Sequence, residues 1–126
     1  PKIEKIQTIS TTGPKALSQL TAASSMRLST DEKHMFCGNA GDNTVTVYDR
    51  DPKTGLLDYI CCLPISGSYP KDICVFPDDK HIASINHENG SITFFSVDYK
   101  KGLLIMNGKE IRVNEPNSCV IVKVGE

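Results

Sequence analysis

The chain has 126 residues, enough for one domain core, and its 14 basic and 15 acidic side chains give a formal net charge of −1 with no basic block, so no nucleic-acid partner is expected. No apolar run approaches the length of a membrane span and no signal-peptide pattern opens the sequence, so no membrane partner is expected either. The five cysteines (Cys37, Cys61, Cys62, Cys74 and Cys119) include no CxxC pair and no zinc-type His spacing. Most lie in apolar strand patterns, which predicts reduced core thiols, a cytoplasmic chain, and no metal or other cofactor, with a secreted, disulfide-bonded chain as the alternative.

In chain order, Ile3 to Ser10 (IEKIQTIS) reads as a strand without an earlier partner, closed by the turn Thr11-Thr-Gly-Pro14. Lys15 to Ala23 fits either one helical turn or an irregular connection. From Ser24 a unit begins that occurs twice. Shifted by 47 residues, Asp31-Glu-Lys-His34 falls on Asp78-Asp-Lys-His81, Asn39 on Asn86, Asp51 on Asp98, and Gly55-Leu-Leu57 on Gly102-Leu-Leu104. Between Met26–Leu57 and Ile73–Leu104, 10 of 32 positions are identical and most others match in apolar type.

Each unit reads as short strands joined by Asp-, Asn- and Gly-bearing turns, with no helical period. Ser91 to Val97 alternates and is rich in β-branched and aromatic residues. Four strands at such a period describe propeller blades, since ankyrin, TPR and leucine-rich repeats are shorter and helix-bearing. The second unit's outer strand is expected over Leu103–Val113 with a bend at Asn107-Gly108, broken by Asn114-Glu-Pro116. A last alternating strand, Ser118 to Val124, lacks a partner.

The predicted fold is therefore all-β: a β-propeller fragment of about two four-stranded antiparallel blades plus an orphan strand at each end. As one partial domain it divides into an outer strand and connection (1–23), a first blade (24–70), a second blade (71–116) and a closing strand (117–126). Two blades cannot close a ring, so the faces carrying Val45, Val47, Ile92, Phe94 and Phe95 are expected to lie open. Remaining blades, or further copies of the chain, are expected to cover them.

The run AASSMRLSTDEKHMFCGNAGDNTVTVYDRDPKTGLL from Ala22 resembles the penultimate blade of the lactonase family of seven-bladed β-propellers. That family includes bacterial propeller-type 6-phosphogluconolactonases and fungal carboxymuconate-lactonizing cyclases. Gly67-Ser-Tyr-Pro-Lys-Asp72 with PDDKHIASINHENGSITFFSVD resembles the final blade, Asn114 to Val120 the closing strand, and IEKIQTIST the strand before the penultimate blade. The resemblance implies the C-terminal third of a sugar-lactone hydrolase, with 6-phosphogluconolactone as the best single substrate.

It also implies where a site would lie. In active relatives, charged residues line one end of the central channel. One such slot follows the Asn that ends each blade's second strand, which makes Asn39 with Ala40 and Asn86 with His87 the channel-lining candidates. Lys71, after Pro70, occupies a second, basic slot. Opening a lactone requires a base to activate water and a cation for the developing oxyanion, and a sugar phosphate adds a need for an anion holder. His87 suits the base and Lys71 the anion, whereas Ala40 stands where the family carries Arg and supplies neither. No catalytic residue is assigned, and a non-catalytic binding or interaction propeller is the alternative. His34 and His81, Asp51 and Asp98, and Gly55 and Gly102 recur with the repeat and read as structural. Cys61 and Cys62 point to opposite strand faces and cannot share a metal.

Overall fold

The computed structural model describes residues 1–14 and 21–125, so most of the ambiguous stretch from Lys15 to Ala23 lies outside the described residues. Nine strands and no helix are present among them. The first sheet takes β1 (Ala22–Leu28), β2 (His34–Ala40), β3 (Thr44–Arg50) and β4 (Leu57–Pro64) in chain order, each antiparallel to the next. The second repeats that order with β5 (Pro70–Val75), β6 (His81–Asn86), β7 (Ser91–Asp98) and β8 (Leu103–Met106). A two-residue strand, β9 (Ile111–Arg112), also pairs with β7. The second blade's outer strand is thus a single strand interrupted at Asn107-Gly108, where Gly108 takes a positive φ of 69°.

The repeat is physical as well as textual. In the turn before β2, the Asp31 carboxylate accepts from the Ser29 hydroxyl and the Lys33 amide, while Glu32 takes φ 60°. In the turn before β6, Asp78 accepts from the Lys80 and His81 amides and Asp79 takes φ 57°. Asp51 and Asp98 each cap the next turn, accepting from the amides of Lys53 and Lys101. Gly55 and Gly102 close those turns at φ 76° and 65°, a conformation in which a Cβ is strained.

Burial departs from one sequence expectation. Val45 and Val47 are not open to water. Both are fully buried, in a cluster with Phe36, Cys61, Ile65, Ile73, Ile82 and Phe95 that forms the seam between the two blades. Alternation on β3 turns Val45 and Val47 toward the second blade, and alternation on β7 turns Phe95 back toward the first. Ile92 and Phe94, on the opposite face of β7, are half-buried.

The chain ends form no ladders but are docked. Gln7 exchanges two 2.8 Å hydrogen bonds with the backbone of Leu57 through its side-chain amide. The Ser10 carbonyl accepts from the Tyr48 hydroxyl, and the Thr11 carbonyl accepts from Asn39 and Thr46. In the second blade the Ile65 carbonyl accepts from Thr93, the repeat counterpart of Thr46. Thr11 therefore stands to the first blade as Ile65, just past the end of β4, stands to the second.

The cysteines also depart from expectation. Cys37, Cys61 and Cys62 are free, with Cys37 and Cys61 buried. Cys74 and Cys119, expected to be reduced, form a disulfide that joins β5 to the C-terminal segment. The sequence hides this pairing because the two residues are 45 apart and Cys119 lies on a segment with no ladder. Cys61 faces the seam while Cys62 reaches Thr44 on the other side of β4, as the alternation requires.

Candidate functional site

One end of the two blades gathers three connections: residues 40–43 between β2 and β3, residues 65–70 leading into β5, and residues 87–90 between β6 and β7. Pro70 is buried and anchors the middle one. A residue before proline is normally held in extended backbone, yet Tyr69 takes φ 58°. Backbone hydrogen bonds enforce this. The Tyr69 N–H donates to the Asn43 side chain at 2.8 Å, and its carbonyl accepts from the His87 N–H at 2.9 Å. Ser68 adds a bond from its N–H to Asn89 at 3.0 Å and one from its hydroxyl to the Glu88 carboxylate at 2.9 Å. The strained loop is thus stapled to the turn that carries His87.

Within this frame the imidazole of His87 is half-buried, with the Tyr69 ring tilted at 60° and 6.3 Å away. Its Nδ1 lies 3.2 Å from the Pro116 carbonyl. A carbonyl only accepts, so Nδ1 carries the proton and the neutral ring keeps its lone pair on Nε2. Lys71, half-buried at the start of β5, donates from Nζ to the Asn117 side chain at 2.8 Å. The structure therefore brings His87 and Lys71 to consecutive residues of the C-terminal segment.

Ala40 lies on the wall of a recess of about 330 Å³, shared with Ala22, Gly41, Asn43, Ser68, Tyr69 and Glu88. Small side chains at Ala22, Ala40 and Gly41 leave that space open.

Asn39 and Asn86 are a correction. Both are fully buried within the sheets and do not line an accessible surface. Asn39 Nδ2 donates to the Thr11 carbonyl and to the Thr44 and Thr46 hydroxyls. Asn86 Nδ2 donates to Ser91 and Thr93. Each asparagine ties the second strand of its blade to the third, a structural task that explains their shared register.

Sequence reasoning missed Tyr69, Glu88 and Pro116-Asn117. The Ser-Tyr-Pro run held a signal for the first, because a residue placed before proline and after a Gly-Ser turn is positioned by backbone rather than by packing. Nothing in the sequence announced that Pro116 and Asn117 would meet His87 and Lys71.

Residues 1–122 match the sequence model of the lactonase seven-bladed β-propeller family. A 6-phosphogluconolactonase of Bacillus subtilis is 21% identical over 115 residues, covering 91% of this chain and 33% of that protein. An uncharacterised Lactococcus lactis protein is 26% identical over 120 residues, covering 95% of this chain and 35% of its own length. The chain thus spans about a third of the curated relatives it matches. A Bacteroides fragilis structure with a provisional 6-phosphogluconolactonase name superposes with TM-score 0.77 at 23% identity, over 90% of this chain and 31% of the other. The periplasmic gluconolactonase PpgL of Pseudomonas aeruginosa gives TM-score 0.70 at 20% identity, over 77% and 27%.

Proposed function

Because the chain belongs to the lactonase family of seven-bladed β-propellers, we propose that it forms part of a sugar-lactone hydrolase, with 6-phosphogluconolactone, opened to 6-phosphogluconate, as the first substrate to try. The observation that carries this reading is the pairing of His87 and Lys71 at one end of the blades, with the His87 tautomer set by Pro116. With Nδ1 engaged, Nε2 is the atom that takes a proton from water as that water attacks the lactone carbonyl. The Lys71 ammonium, now on Asn117, exchanges that neutral partner for an anion, either the developing oxyanion or a substrate phosphate. As the ester bond breaks, the same imidazole returns its proton to the leaving alkoxide.

The relative named as a Bacillus subtilis 6-phosphogluconolactonase supports the choice of substrate. The localisation that goes with this reading is cytoplasmic. The blades that complete the ring supply the rest of the site.

The test is hydrolysis of 6-phosphogluconolactone by the full-length protein, measured above the spontaneous rate. His87→Ala is expected to lower kcat by about 10²–10⁴-fold, and Lys71→Ala to raise KM with a smaller change in kcat. Equal rates for wild type and His87→Ala refute the assignment of His87.

A second reading rests on Ala40, which leaves the 330 Å³ recess where the family resemblance implies an Arg. A non-catalytic propeller would bind a small molecule there. Ala40→Arg separates the two: it abolishes binding in a recess-binding propeller and leaves or raises turnover in a hydrolase.

A further inference from the structure

The innermost strands are cross-linked twice at one repeat position. Arg27 on β1 meets Asp72 on β5 through two hydrogen bonds of 3.2 and 2.7 Å. Shifted by 47 residues, the same two positions are Cys74 and Cys119, and a disulfide joins them. The neighbouring contact repeats as well, since Ser24 to Pro70 becomes Lys71 to Asn117. The C-terminal segment therefore lies against β5 in the register that β5 keeps against β1.

Among the described residues, that segment is the one fastened by a disulfide. Residues 113–125 make no ladder with β5. Among the described residues, its polar contacts to the second blade's inner end are the Val113 N–H to the Gly90 carbonyl at 3.0 Å, Lys71 to Asn117, His87 to Pro116, and the Cys119 N–H to the Asp72 carboxylate at 3.1 Å. Ser118, Val120 and Val122 are exposed. The disulfide is the covalent member of this set, and it sits two residues past Asn117. A recess of about 190 Å³, lined by Cys74, Cys119, Arg27 and Val120 among others, opens beside it and gives a reductant a way in.

We propose that Cys74–Cys119 is a redox latch that sets the partners of His87 and Lys71. Oxidised, it holds Pro116 and Asn117 against the two side chains. Reduced, it frees the segment, and His87 Nδ1 and Lys71 Nζ lose their fixed acceptors together.

The reductant is a dithiol. Its thiolate attacks Sγ of the half-buried Cys119, the S–S bond breaks, and Cys74 leaves as a thiolate that takes up a proton. The reductant's second thiol then resolves the mixed disulfide, releasing Cys119 as a thiol. Two electrons pass to the protein and the reductant ends as a disulfide. Burial pushes the Cys37 and Cys61 thiols up to about 11, so neither supplies a competing thiolate near neutral pH. A disulfide in a reducing compartment is characteristically a transient or sensing one, which fits the proposed cytoplasmic setting. The latch does not depend on lactone chemistry, and its test does not read activity.

The full chain, isolated without reductant, is unfolded and labelled with maleimide, then compared with the same chain treated with dithiothreitol. Three labels are expected before reduction, for the free cysteines, and five after. On the native chain, reduction is expected to speed hydrogen exchange of the Cys119 amide, which donates to the Asp72 carboxylate, by at least about ten-fold. It should also shift the His87 ring resonances and leave β2 and β3 unchanged. Cys119→Ser, placed on a segment outside the ladders, is expected to show the released pattern with no reductant present. Five labels before reduction overturn the proposal. So does a reduced chain whose Cys119 amide exchange and His87 resonances match the oxidised one.

Discussion

The two blades carry one pattern and sit in different surroundings. Val47 and Phe94 occupy the same repeat position, and so do Val45 and Ile92. The first of each pair is fully buried because a blade follows it, and the second is half-buried because within this chain only a short segment does. His34 and His81 show the same contrast. His34 stacks on Tyr99 of the second blade with ring centroids 3.6 Å apart, whereas His81 is exposed and paired only with the adjacent turn's Asp78. A blade's outward face thus differs in burial at matched apolar positions, and the neighbour decides which residues belong to the core.

The sharpest way to break the comparison is to truncate both sides of it. Phe36→Ala, in the seam, is expected to lower unfolding stability by about 3–5 kcal/mol, while Phe94→Ala costs about 1 kcal/mol. Urea midpoints of the two variants decide this, and equal losses remove the seam as the main core.

Next in size is the polar cross-link. Arg27→Ala leaves Asp72, 3% exposed, with only the Ile73 and Cys119 amides, and should cost about 2 kcal/mol. The Arg27 head is half exposed and partly rehydrated, which keeps the figure below that of a sealed ion pair. Thermal melts of the oxidised chain read this against the disulfide at the equivalent position.

A smaller asymmetry separates Cys37 from Ser84, which share a repeat position. Ser84 donates to the Asn86 side-chain oxygen, whereas the matching oxygen of Asn39 is buried without a partner among the described residues. Ser84→Cys should lose about 1–2 kcal/mol and Cys37→Ser should gain about 0.5–1 kcal/mol, both by denaturant titration. If Cys37→Ser destabilises, the Asn39 oxygen is satisfied in solution by another group.

The smallest effect is common to both blades. Hydrogen bonds, led by Ser29 for Asp31 and by the Lys80 amide for Asp78, hold both carboxyls below the ordinary 3.8. A depressed folded value means the stabilisation is present above that pH and is lost as pH falls through the folded values. The melting temperature should therefore drop on acidification below about pH 4. Asp31→Asn with Asp78→Asn should flatten that slope.

How far the sequence could be read follows from the same contrast. Turns and strands were legible because the residues that make them, Asp31 and Asp78 or Gly55 and Gly102, act on backbone a few positions away. Gly108 marked the break in the outer strand for the same reason. Burial at Val45 and Val47 was not legible, since it depends on Ile73 and Phe95 far along the chain. Nor was the disulfide, whose two sulfurs meet only because the C-terminal segment docks on β5. At the candidate site the sequence pointed to His87 and Lys71, and it pointed equally to Asn39 and Asn86, whose recurrence came from fastening strands. A residue that repeats because every blade needs it looks the same, in one sequence, as one that repeats because a channel needs it.

The interruption at Asn107-Gly108 has a consequence for how the chain meets other chains. An outermost strand offers unpaired N–H and C=O groups to any extended peptide, and a long, even rim invites fibril growth. The second blade presents that rim in pieces of four and two residues, β8 and β9, although Leu103, Ile105, Met106 and Ile111 are all exposed. The first blade's rim, β4, runs for eight residues and is irregular only where the register shifts at Val47/Tyr48. Gln7 occupies it at Leu57, leaving the stretch after Tyr59 as the longest template for edge-to-edge pairing. Misassembly of this protein should therefore start from the first blade, and the broken strand of the second acts as a built-in stop.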